Sequence, residues 1–490
     1  MMKHFVNQVF AALSLFAFAA CHETPHDVHI KSEQPPIFPD YKDVTIPRGI
    51  APLNFNLMTD TPADAISVTV TGSREGVLTA EGDFADFDIQ QWHALTEAND
   101  SLSVVVCAKI NGQWLQYQPF TIHVSSLPLD AWGITYRRIK PGYEVYGKMG
   151  IYQRELSTYC ETPIFETTST SGLCVNCHTS NRCKPSNFTF HVRGDHGATM
   201  VSCGGKREWL VAQNDSLHGS MVYPYWHVGG RYCAYSTNQT RQGFHETKEK
   251  RIEVFDYSSE VFVYDTENHE IILDSLLSTP GNFETYPVFS PDGATLYFCS
   301  APIEPIPARI KEIRYNICKI DFDAASGTFG DHVDTIFNAR VLGKSAVHPR
   351  PSYDGKYIMF TMADYGCFPV WHPEADNWLL DLSTGKAQPI DVINSDESDG
   401  WHNWSPDSHW FLFNSRRIDG LHTRIYLACI DTAGNVTKPF LLPQRNPWKY
   451  YDELLDSYNT PDFTCEKVDF DSRQAAREIL SDKRIATTVR

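Results

Sequence analysis

From Asp43 to Val124 apolar and polar residues alternate in short runs: DVTIP, LNFNLMT, AISVTVTG, SLSVVVCAKING and WLQYQPFTIHV. Period-two alternation rich in Val, Ile and Thr, broken by Gly, Asn and Pro, predicts strands rather than helices. Their number over residues 41–126 predicts a small β-sandwich of immunoglobulin or fibronectin type. Beyond Met200 a longer period takes over. Tyr-Pro-Tyr-Trp226-His227 is echoed by Tyr-Pro-Val-Phe289-Ser290-Pro291-Asp292-Gly293, by Pro351-Ser352-Tyr353-Asp354-Gly355 and by Trp404-Ser405-Pro406-Asp407-Ser408. Each copy is a strand ending in a Pro/Asp/Gly turn, where Pro presets φ and Asp and Gly tolerate positive φ. An alternating strand such as TLYFCS or KYIMFT follows, and further strands ending in Asp turns lie between the copies. A unit of about 50 to 60 residues with four strands predicts a β-propeller blade. The fold class is therefore all-β, with the propeller over 201–490. The stretch 127–200 is the least regular, with a helical piece expected around Tyr146 to Tyr159. In the tail, DSRQAAREILSDKR reads as a helix and TCEKVDF as the strand that closes the ring.

The one long apolar run is at the start. Lys3 and His4 precede FVNQVFAALSLFAFAA, which Asn7 and Gln8 interrupt. That is a signal peptide rather than a membrane span. The run ends Phe18-Ala19-Ala20-Cys21, which resembles a lipobox, with Phe18 in place of the usual Leu. Lipidation at Cys21 would anchor the mature chain, and ordinary cleavage among the alanines would leave Cys21 as a spare thiol. Residues 1–21 are thus the signal with its lipobox and 22–40 a polar, Pro-bearing tether. The expected location is the periplasm, as a membrane-anchored lipoprotein of the outer membrane.

The 42 Lys and Arg against 60 Asp and Glu leave a formal charge of −18 on 490 residues. Such an acidic chain excludes a nucleic-acid partner, and an aromatic content of 13% excludes disorder. No G-x-S-x-G, H-E-x-x-H or P-loop occurs, and Asp396, Asp399 and Asp407 read as turn residues, so no conventional hydrolase is expected.

Chemistry concentrates in Cys174-Val-Asn-Cys177-His178. C-x-x-C-H is the attachment motif of a c-type haem, in which two thiols add to the vinyl groups and the imidazole becomes the proximal iron ligand. With 13 Cys and 19 His in the chain, composition alone would produce it roughly 0.013 times. Export and haem attachment share a compartment, so the two signals agree. The candidate cofactor is haem c, bound by Cys174, Cys177 and His178. The sixth iron position falls to His191, His196, Met200 or Met221, or stays open. His191 leads because Arg193 beside it suits a haem propionate. Two other uses of these residues compete: a zinc site from Cys160, Cys174, Cys177, Cys183 and His178, or local disulfides. Most other cysteines sit in apolar strands as small hydrophobes, with Cys299 and Cys318 one pair that could meet.

Together the SPDG repeats resemble those of TolB-type propellers, which have six blades; four are evident here. The run from Tyr136 to Arg154, CVNCH, Phe190-His191-Val-Arg193-Gly194, Tyr-Pro-Tyr-Trp-His227, Asp364-Tyr-Gly-Cys-Phe-Pro-Val-Trp-His372, Trp401-His402-Asn-Trp404-Ser405, Ser415-Arg416-Arg417 and Lys438-Pro-Phe-Leu-Leu-Pro-Gln444 resemble a Bacteroidetes-type family of exported TolB-like propellers often labelled cytochrome c biosynthesis proteins. The resemblance implies the architecture and, through that label, a place near cytochrome assembly.

Three functions follow as expectations. One is an exported lipoprotein whose single covalent haem passes electrons, with the propeller docking a redox or envelope partner. Another is a haemless TolB-like scaffold or assembly accessory that binds an envelope protein. A third is a haem enzyme or gas sensor with an open iron site. Arg416, Arg417 and His402 form a candidate binding cluster where the blades converge, with His227 and His372 at neighbouring blade positions.

Overall fold

The computed structural model describes residues 24–142, 148–170, 172, 174–212, 217, 220–244 and 251–490. The signal peptide and Cys21 lie outside the described residues. The molecule is mostly β. Residues 29–124 form a mixed seven-stranded sheet centred on Ser101–Ile110, a two-stranded ladder of Ile37–Phe38 with Asn56–Leu57, and one helix, Ile89–Ala98. Asp88 caps that helix by accepting from the Gln91 backbone N–H. The expected tether 22–40 is shorter than its composition suggested. His29–Ile30 pairs in parallel with Gln113–Gln116, and Lys438 reaches the Asp40 carboxylate at 2.8 Å. Edge hydrogen bonds and an ion pair thus hold a polar stretch that carries no apolar period.

From Gly133 onward the chain builds six sheets of four or five strands, antiparallel except for two short parallel strands at outer edges. Their first strands are Ser457–Thr464, Cys174–Asn181, Val222–Trp226, Asn282–Phe289, Ser345–Pro351 and Asp399–Trp404. Each of these touches the next, and the last touches the first, so the sheets stand round a common axis in a β-propeller-like ring. Middle strands are buried on both faces, as in WFLFNS and RIYLAC, while outer ones such as KAQP are open. A strand sandwiched between neighbouring sheets needs a continuous apolar run, which explains why alternation fades there.

Two expectations are corrected. The stretch Gly150–Glu155 is a strand, not a helix, paired on both sides with Gly133–Ile139 and Glu161–Glu166; sheet pairing overrides the local pattern. Ring closure comes from Ser457–Thr464, just before TCEKVDF, which pairs with Gly133–Ile139. The tail helix is Ser472–Leu480. Past it, Ile485–Ala486 and Thr488–Val489 cap the outer edges of the second and third sheets, covering backbone groups that would otherwise invite pairing with another chain. The stretch 127–200, expected as a haem-motif segment joined to the propeller, supplies strands to the first two sheets.

The SPDG turns work as a unit. Ser352 and Ser405 donate to Asp354 and Asp407 at 2.7 and 2.9 Å and accept the N–H of Tyr357 and Trp410 at 3.0 Å; Ser290, Asp292 and Thr295 repeat the scheme. At the third sheet His227 takes the serine's place and packs edge-on against Phe289 at 5.0 Å. Its ring lies over Gly293, where a Cβ would come within 2.1 Å of His227 Nε2 and φ is +78°. Gly355 has φ +74° but open space around its Cα. Gly293→Ala should therefore cost about 2 to 3 kcal/mol and Gly355→Ala about 1 kcal/mol in urea unfolding; equal losses would show that His227 does not impose the glycine.

Candidate functional site

The same irregularity recurs in all six inner strands. Pairing slips between Asn176 and Thr179, Val222 and Tyr225, Thr285 and Val288, Val347 and Arg350, Gly400 and Asn403, and opposite Thr135 and Arg137 in the closing strand. Each slip sets two residues opposite one: Cys177-His178, Tyr223-Pro224, Tyr286-Pro287, His348-Pro349, Trp401-His402 and Thr460-Pro461. The first of each pair is left-handed, at φ +54°, +51°, +54°, +54°, +48° and +43°. Non-glycine residues rarely adopt this conformation, and six copies in one ring mark a shared constraint. Four residues later come Asn181, His227, Ser290, Ser352, Ser405 and Thr464, where the turns begin.

This layer fills the axis with rings. Tyr223 meets Tyr286 at 4.4 Å, Tyr286 meets His348 at 4.3 Å, and His348 stacks on Trp401 at 3.9 Å and 24°. Beside them is a cavity of about 30 Å³ lined by Cys177, His178, Tyr223, His348, Trp401, His402 and Thr460. Buried polar atoms without a protein partner gather there: His178 Nδ1, both His348 nitrogens, Trp401 Nε1, His402 Nε2 and Thr460 Oγ1. A polar space of this size suits water. Burial holds His178 down at about 4 and His402 at about 3, and pushes His348 well below its usual range, so the imidazoles are neutral at pH 7.

The C-x-x-C-H residues lie around one guanidinium, since Arg137 acts on Cys174, Cys177 and His178 and the two thiols act on each other. Cys174 Sγ lies 3.4 Å from an Arg137 guanidinium nitrogen and packs on the apolar cluster around Met149. Cys177 is buried at the axis, in the electrostatic reach of Tyr223, and burial raises its thiol. His178, 5% exposed, sets Nε2 3.1 Å from Thr135 Oγ1 of the first sheet. Organic cofactors occupy pockets of about 300–1,000 Å³, ten or more times the space beside Cys177. As folded, the residues do not fit a haem.

Of the remaining candidates, Arg193 acts electrostatically on Cys177 and His191, and the others are dispersed. His191 Nδ1 bonds Thr199 Oγ1 at 2.9 Å, with burial holding its pKa at about 3, and Arg193 pairs opposite Cys174. His196 binds Asp482 at the surface. Met200 and Met221 sit in two different apolar clusters. The twelve described cysteines, Cys160 and Cys183 included, are free, and no three His, Cys, Asp or Glu among the described residues group as metal ligands. Cys299 and Cys318 miss each other by one register step, Cys299 facing Ile317 and Cys318 facing Phe298. The expected binding cluster also separates. Arg416 stacks on Trp371 at 3.5 Å, Arg417 pairs with Asp399 at 2.8 Å, and His402 Nδ1 bonds Asn377 Oδ1 at 2.9 Å. Asp399 is thus half of a buried ion pair rather than a turn residue.

Two parts of the site escaped the sequence reading. The left-handed layer leaves one trace, an aromatic or His next to Pro or His four residues before each turn, which fades at Cys177 and Thr460. The other part is the arm formed by Tyr232–Phe244 and Ile252–Asp265, whose outer half packs Ile252 and Val254 on Trp371. Its Glu253 accepts from Tyr365 at 2.8 Å and faces His372 at 3.3 Å, and burial raises its Asp256 to about 7. The loop beneath it touches the axis through Phe368 on Trp401 at 5.7 Å. The arm therefore covers the end of the axis opposite the SPDG turns.

No protein-family model matches the chain, and no curated protein matches it. Among solved structures it is similar to an oligogalacturonate lyase in complex with manganese, at 10% identity and a TM-score of 0.35, covering 63% of this chain and 74% of that one. It is also similar to a Mycobacterium tuberculosis puromycin-hydrolyzing peptidase, at 12% identity and a TM-score of 0.32, covering 71% and 52%. A third is prolyl oligopeptidase B from Galerina marginata, at 11% identity and a TM-score of 0.37, covering 81% and 55%. The chain spans about half the length of the last two.

Folded His402 refuses a proton that the unfolded chain takes up below about pH 6.5, so its contribution opposes folding increasingly as pH falls toward 3. His402→Gln should therefore be less destabilising at pH 5 than at pH 8 by about 2 kcal/mol. Urea unfolding of both proteins at the two pH values measures the difference, and a pH-independent penalty would contradict a buried neutral imidazole.

Proposed function

We propose that this chain is a haemless, exported lipoprotein: a six-bladed TolB-like propeller with an N-terminal β-sandwich, anchored through Cys21 in the periplasm, that serves as a scaffold docking another envelope protein. The observation that carries the reading is the lack of room at the motif: Cys177 and His178 line a cavity of about 30 Å³, far smaller than a haem needs. Cys177-His178 also occupies a slot that Tyr-Pro, His-Pro, Trp-His and Thr-Pro fill elsewhere in the ring, so the same residues serve the ring geometry without a cofactor. The absence of a hydrolase motif in the sequence supports a binding rather than a catalytic role.

The test is expression in a periplasm equipped for haem attachment, followed by a haem-peroxidase stain of a denaturing gel and a reduced-minus-oxidised spectrum. The protein should be colourless and unstained. A stained band at the mature mass that Cys177→Ala abolishes would overturn the reading and restore the electron-transfer alternative. In the same cells, Cys21→Ala should move the protein from the detergent phase to the aqueous phase on Triton X-114 partitioning; unchanged partitioning would refute the lipid anchor.

A further inference from the structure

At the turn end of the axis the inner strands open into a depression of about 390 Å³ lined by Asn181, Arg182, Lys184, Val228, Tyr353, Pro406 and Cys465. Its floor is the two-residue turn between Cys174–Asn181 and Lys184–Arg193. Both turn residues are left-handed, Arg182 at φ +48° and Cys183 at +63°, which is the type I′ geometry that Asn-Gly or Gly-Gly adopts without strain. Arg and Cys pay a backbone penalty there, so the side chains, rather than turn chemistry, explain the choice. Cys183 is buried, with Sγ 3.6 Å from Tyr353 Oη. Arg182 lays its guanidinium over the Tyr353 ring at 5.2 Å, with a single protein acceptor, the Pro291 carbonyl, at 3.4 Å.

The charges around the rim are unequal in freedom. Asp292, Asp354 and Asp407 are each bound to the serine and backbone of their own turn, and Asp407 also accepts the Asp130 N–H at 2.9 Å. Among the described residues, Arg182 and Lys184 have no carboxylate within ion-pair distance. The field of the depression is mixed, since Cys465 in its wall is acted on by Lys184 and also by Glu466, Asp130 and Asp462, so an anion there is held by direct contact with Arg182 and Lys184 rather than by long-range attraction.

We infer that this depression is a binding site for a carboxylate-bearing ligand. Arg182, stacked and pre-oriented on Tyr353, would take the carboxylate through paired N–H donors, Lys184 would add a second charge, and Tyr353 and Val228 would supply apolar wall. The inference deepens the docking role proposed above and rests on it, since an acidic segment of a partner protein is one source of such a carboxylate; a free dicarboxylate is the other.

Calorimetric titration of the whole protein with a blocked hexapeptide of Asp and Glu, and separately with succinate, tests it. Binding of either probe, weakened at least tenfold by Lys184→Gln and again by Arg182→Gln, but unchanged by Lys206→Gln on an outer strand, is the expected result. Peptide binding alone would identify a protein segment as the source, and succinate binding a small acid. Lys184→Gln removes an exposed charge and keeps the test valid if Arg182→Gln unfolds. Binding of neither probe, or binding indifferent to Lys184, overturns the inference. The two readings fail separately: a haem-stained protein that still binds a probe refutes the scaffold reading alone, and an unstained protein that binds neither refutes the site alone.

Discussion

The structure depends on the pairing of Ser457–Thr464 with Gly133–Ile139. Residues more than 300 positions apart must meet before the six sheets form a ring. Without that strand the first sheet would expose an inner edge, and its neighbours would lose the packing that buries both faces of their middle strands. Closure of so long a loop is entropically costly, and the ring offsets it by completing every inter-sheet contact at once. The tail then runs outward along the second and third sheets, so the chain end that closes the ring also covers two of its edges.

Closure has a second consequence at the axis. Six inner strands that approach one line have little space, and each relieves the crowding with a two-residue slip whose first member is left-handed. The slips rotate large side chains into the centre, where Tyr223, Tyr286, His348 and Trp401 fill it. The filled axis separates an arm-covered end, with Glu253 and Asp256, from an open end where Arg182 and Lys184 line the depression. The proposed carboxylate site thus sits at an open mouth, while the interior maintains the ring.

Much of the architecture was legible. The SPDG repeats located three of the turns, and alternation located several strands of the amino-terminal unit but not His29–Ile30, Ile37–Phe38 or Val77–Gly82. The closing strand and the strand at Gly150–Glu155 were misplaced because their partners are remote in sequence and no local period encodes them. The C-x-x-C-H motif shows the same limit in sharper form. Its spacing is chemically specific, yet spacing says nothing about room, and a register slip sets Cys177-His178 at the crowded axis beside a cavity of about 30 Å³.

By itself the sequence determined the local chemistry: which residues turn, which strands must be buried, and that the chain is acidic. These follow from side-chain type and short-range period. Tertiary structure alone decided which residues share the axis, that Cys177-His178 is one of six equivalent slips, and that Arg182 and Lys184 have no carboxylate partner among the described residues. Those facts depend on where remote strands meet and on how a ring of six sheets fills its centre, and a linear pattern holds neither.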